Sequence, residues 1–75
     1  MPSNNPSIAY SITIRAQYAN EAGMLGTISS AIGEAEGDIG AIDTVSSSRN
    51  TMVRDITVNA RDVAHGEKIA KSVRA

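Results

Sequence analysis

From Ile8 onward, apolar and polar side chains alternate. The even positions Ile8, Tyr10, Ile12, Ile14 and Ala16 are apolar or aromatic, while Ala9, Ser11, Thr13, Arg15 and Gln17 are mostly polar. A period of two with β-branched residues predicts a strand with one face on a core, and Tyr18 extends that face toward the next turn. The period then lengthens. Leu25, Ile28, Ile32 and Ala35 recur at helical spacing, flanked by Met24 and Ala31, with Ser29, Ser30 and Glu34 on the opposite side. Asn20 reads as the N-cap of this helix, because its side-chain oxygen can accept from the first free N–H groups. Glu21 suits the positive end of the helix dipole. Gly33 inside the helix costs ~1 kcal/mol relative to alanine, and Gly37 reads as the C-terminal stop.

Ile39, Ala41, Ile42 and Val45 make a second strand that alternates less cleanly, and Gly40 within it predicts a bulge or a close approach by another backbone or a ligand. Ser46 to Asn50 is a polar hairpin loop. Met52, Val53, Ile56 and Val58 form a third strand, with Ile56, Val58 and Ala60 on its inner face and Arg54 at the outer end of that face. Asp62 caps a second helix whose stripe is Val63, Gly66, Ile69, Ala70 and Val73, and Lys68, Lys71 and Arg74 favour its C-terminal end. The order strand, helix, strand, strand, helix is a split βαβ pattern without its final strand. Right-handed crossovers put both helices on one face of an antiparallel α+β sheet and the first strand beside the third. The sequence stops at Ala75 within the second helix. Ile8 to Gln17 is then an apolar edge that natural domains rarely leave bare, so both a continuation of the chain and a second copy to cover it are expected. Met1 to Ser7, with two prolines, reads as a loose tail ahead of a domain from Ile8 to Ala75.

Composition narrows the picture. Seventy-five residues allow one small domain, which buries only ~60% of its unfolded surface. There is no cysteine to staple it, and with Phe and Trp absent the core must be aliphatic. A formal net charge of −1 gives no general pull toward nucleic acid or anionic membrane. No apolar run reaches the ~18 residues of a bilayer span, and the N-terminus lacks a secretory signal. A soluble, cytoplasmic chain is expected. Every charge from Glu21 to Asp43 is acidic, whereas basic residues outnumber acidic ones from Arg49 onward. Such patches are ordinary solvated faces or help orient a partner.

Enzyme chemistry finds no foothold in these residues. His65 is the only histidine, is expected on the wet side of the second helix, and has no second soft ligand at usable spacing. Asp38 and Asp43 flank a strand as a solvated pair, and Ser46 to Ser48 is a hairpin rather than a strained nucleophile turn. Neither glycine-rich phosphate motif is present. The open sheet face lacks the aromatic pair that stacks RNA bases.

Asn20-Glu21-Ala22-Gly23-Met24-Leu25, placed after the first strand, resembles the signature of the ACT domain, in which an acidic or amide residue precedes a Pro-Gly-apolar-apolar turn. Gly23 matches the family glycine, and Met24 with Leu25 the apolar pair. Asp38-Ile39 stands where many members have Asn-Ile, and Ile42 matches a later apolar position. The resemblance covers Ile8 to Ala75, and within the family the chain looks like the N-terminal regulatory domain of some bacterial NAD-dependent malic enzymes. It implies a ferredoxin-like fold, pairing of sheets edge to edge in a homo-oligomer, and an amino acid or related effector bound at the seam. It also implies that NAD and a divalent metal belong to a catalytic region of the same polypeptide, with no cofactor in this domain. Carried over by position, the effector contacts are Asn20, Glu21, Ala22, Gly23, Met24 and Leu25, facing Asp38, Ile39 and Gly40. Two departures stand out: Ala22 replaces the usual proline, and Asp38 replaces an asparagine, so it repels a carboxylate and attracts an ammonium. The plainer assignment of the same residues is a cap, a turn glycine and a helix stop. The sequence thus predicts a non-catalytic regulatory domain, with a pure oligomerisation module as the competing class.

Overall fold

The computed structural model describes residues 7–74. Strand β1 (Ser7–Ala19) is followed by helix α1 (Met24–Glu34), strands β2 (Asp38–Ser47) and β3 (Thr51–Ala60), and helix α2 (Val63–Arg74). The sheet is antiparallel in the order β1-β3-β2. This is the ferredoxin-like β-α-β-β-α arrangement expected from the periodicities. Of the tail expected over Met1 to Ser7, the first six residues lie outside the described part, and Ser7 opens β1.

Alternation along β1 and β3 sets the core. Tyr10, Ile12, Ile14, Ala16 and Tyr18 turn toward the helices, while Ser11, Thr13, Arg15 and Gln17 are exposed. Ile56, Val58 and Ala60 of β3 meet Ile32 of α1 and Ile69 of α2, and all five are fully buried. Gly37, after α1, sits where these layers converge. A Cβ there would lie 2.8 Å from both Ile32 Cγ2 and Val58 Cγ1, and 3.1 Å from Ile69 Cδ1. Gly66 has the same role in α2, since a Cβ would come within 3.1 Å of the Tyr10 ring and 3.2 Å of Ile12. That closeness lets α2 rest on β1.

Strand β2 is the poorly covered member. From Gly40 to Ser47 every residue is exposed, including Ile42 at 38% and Val45 at 45%. Its register against β3 slips between Ile39 and Ala41 and again between Thr44 and Ser46. The first slip is the bulge that Gly40 predicts; the second, at Val45, has no glycine to announce it.

Several local expectations are corrected. Asn20 does not cap α1. The N-cap is Gly23, in the left-handed region at φ 87°, without a side-chain cap bond, and no acidic residue lies in the first turn. The helix stop is shifted by one residue. Glu36, not Gly37, takes the left-handed conformation at φ 66°. Its N–H donates to the Gly33 carbonyl and that of Gly37 to Ile32, both at 2.9 Å, which is the Schellman pattern of paired bonds. Gly37 is therefore held by packing rather than by its torsion. On α2, Val63 is 58% exposed and leaves the predicted stripe, while His65 joins Gly66 and Ile69 in the buried face. Asp62 does cap α2, with Oδ1 accepting from the His65 N–H at 2.8 Å.

Candidate functional site

The turn from Asn20 to Gly23 reverses the chain between β1 and α1. The Glu21 N–H donates to the Ala19 carbonyl at 2.8 Å, and Gly23 supplies the positive φ that starts the helix. Asn20 fastens this turn to the hairpin between β2 and β3. Its backbone N–H donates to the Asn50 carbonyl at 3.1 Å and its side-chain amide to the Ser48 carbonyl at 2.7 Å. Glu21, Ala22 and Gly23 are exposed, Met24 is half-buried, and Leu25 packs on the core. At the other end of the domain, Asp38 and Gly40 are exposed and Ile39 packs on the core. Asp38 Oδ2 accepts weakly from the Asn59 side-chain amide at 3.4 Å.

The two halves of the predicted site do not meet within one chain. They lie at opposite ends of α1, whose 11 residues rise about 16 Å. The pairing of Ala19 with Thr51, and of Asp38 with Asn59, sets them eight residues apart along β3, or about 27 Å at the spacing of an antiparallel strand.

Beside the Asn20 turn, a cavity of about 510 Å³ opens between β1, the first turns of α1 and the last turns of α2. Ile14, Ala16, Tyr18, Met24, Ile28 and Val73 give it an apolar floor, with Thr27 and Arg74 at its rim. Arg54 adjoins it through Tyr18, donating from Nε to the Tyr18 hydroxyl at 2.8 Å and from Nη1 to Thr44 Oγ1 at 3.0 Å. Arg54 lies where its place in the sequence predicts, at the outer end of the inner face of β3. The available signal was parity: it shares its face with Ile56 and Val58, an unusual row for a cation.

The remaining polar groups are bound to one another and to the backbone. His65 is 4% exposed, not on the wet side, and both its ring nitrogens are engaged: Nδ1 with the Arg61 N–H at 3.0 Å and Nε2 with the Ala35 carbonyl at 2.8 Å. Among the described residues no three His, Cys, Asp or Glu side chains gather to hold a metal. On the open face of the sheet Arg15 grips Asp55 with two bonds, of 2.8 and 2.9 Å. The bond to Arg15 holds the Asp55 carboxyl below the usual aspartate range, and the same bond raises the Arg15 guanidinium. No helix among the described residues is long and apolar enough to cross a membrane.

A family model described as the ACT domain matches residues 6–75. The chain belongs to the ACT family. The ACT domain is also 42% identical over 66 residues to an NAD-dependent malic enzyme of Geobacillus stearothermophilus. That alignment takes in 88% of this chain and 14% of the relative, so the ACT domain spans about one seventh of the longer protein's length. No solved structure gives a significant match to it. ACT domains are regulatory, ligand-binding modules rather than catalytic ones.

Proposed function

We propose that this ACT domain is a regulatory module of an NAD-dependent malic enzyme, binding a small effector, an amino acid or related metabolite, at the seam between two copies. The observation that carries the reading is the separation of Asn20–Leu25 from Asp38–Gly40 along α1. Two copies set side by side with their α1 helices antiparallel would bring the turn of one beside the β2 start of the other, which a single chain cannot do. The uncovered β2 edge, with Ile42 and Val45 exposed, is the surface such pairing would use. Malic enzyme chemistry, with its NAD and divalent metal, belongs to the catalytic region of the parent polypeptide. The effector tunes it by binding two quaternary arrangements with different affinity.

Calorimetric titration with amino acids and central carboxylic acids, run beside sedimentation analysis, tests this. Saturable binding that accompanies dimers, and is lost in Gly23→Asn, is the expected outcome. Asparagine tolerates the left-handed torsion that valine does not, so this variant keeps the turn while blocking close approach. Dimers that bind nothing would instead favour the pure oligomerisation module. One observation supports that second reading: the Asn20 amide N–H is committed to Ser48, which makes it a fastener of the turn.

A further inference from the structure

Arg54 is the one cationic side chain of the described residues that is not exposed. It stands in line with Ile56 and Val58, two residues from a fully buried position. Arg15 and Arg61 each hold a carboxylate, whereas none of the described carboxylates pairs with Arg54. Its two described partners, Tyr18 and Thr44, are neutral. A half-buried charge held only by neutral groups is poorly compensated. The geometry nevertheless fixes the guanidinium plane: Nε and one Nη1 N–H are used, and three of the five donors have no partner among the described residues. A guanidinium held in this way offers a planar, two-pronged edge that matches a carboxylate. The Tyr18 hydroxyl accepts from Arg54, so its own O–H is free to donate beside that edge. Tyr18 also lines the cavity together with Met24 and Thr27 of α1, so its hydroxyl links the guanidinium to the wall that the first turn of α1 completes.

We propose that Arg54, with the Tyr18 hydroxyl beside it, is the carboxylate anchor of the effector site, and hence that the effector carries a free carboxylate. The inference rests on the effector-binding reading above and specifies it. Thr44 is a positioning residue that holds Nη1.

The test titrates the chain calorimetrically with L-serine, L-aspartate, L-malate and the carboxamide L-serinamide, and repeats the series with R54Q, R54K and Y18F. At least one carboxylate binds and serinamide does not; R54Q weakens binding about tenfold or more and R54K recovers part of the loss. Binding of the amino acids without malate shows that an ammonium is read as well. In the unaltered chain, the Arg54 Nε–H resonance shifts with the bound carboxylate and stays in place with serinamide, a readout independent of whether R54Q folds. A carboxylate that binds R54Q as tightly as the unaltered chain, or that leaves this resonance unmoved, overturns the anchor while effector binding stands. Binding of serinamide alone overturns the anchor and leaves a sensor of another kind; silence from all four probes removes both readings.

Discussion

Both ring nitrogens of His65 are committed. The Ala35 carbonyl can only accept, so Nε2 carries the proton and donates, and Nδ1 accepts from the Arg61 N–H. The ring thereby joins the end of α1 to the start of α2. His65→Ala leaves a buried carbonyl and an amide unpaired, a loss of about 2–4 kcal/mol that chemical denaturation would measure. A loss within experimental error would show that water replaces the ring. Asp55 sets a pH response. Its carboxyl lies low in the folded chain, so its contribution is present above the ordinary aspartate value and disappears as pH falls from about 4. Asp55→Asn is expected to flatten the acid limb of a pH–stability curve below about pH 5 and to change it little at pH 7, because Arg15 is well exposed and solvent screens the pair. Arg15, raised by the same contact, loses its share only in strong alkali.

Most elements are readable because their periods are clean; β2, which slips register twice against β3, is the exception. The even face of β1, the Ile28-Ile32-Ala35 stripe of α1 and the Asp62 cap are local signals, and the core uses them. Asn20 and His65 depart from expectation because the carbonyls they donate to, of Ser48 and Ala35, are 28 and 30 residues away in sequence, and spacing cannot show such bonds. The stop of α1 slipped for a related reason: Gly37 is constrained by Ile32, Val58 and Ile69 together, three side chains from three elements. Gly33 gives a test at this level. It is exposed, and a Cβ there meets nothing within 4 Å, so Gly33→Ala is expected to stabilise the single chain by about 0.5–1 kcal/mol. If the outer face of α1 packs against a second copy, the same substitution weakens the dimer, which sedimentation would register as a shift in its midpoint.

For the whole molecule, three strands and two helices form a slab of 45 × 20 × 19 Å whose two outer strands, β1 and β2, both present an edge. The regulatory family was legible from the Asn20–Leu25 turn and its place in the topology; the anchor was not, since Arg54 gains meaning only beside Tyr18 and Thr44. A domain completed by association should gain stability on concentration. Thermal midpoints measured from about 5 to about 500 µM should rise by several degrees, and a constant midpoint would mark a self-sufficient monomer. The His65 bonds carry a further mechanical meaning. They rivet the two helices at the Ala35 end, whereas the cavity separates them at the Tyr18 end, so the pair is built like a clothes-peg with its spring at one side. Amide exchange should accordingly run slow at the rivet and fast at the jaw.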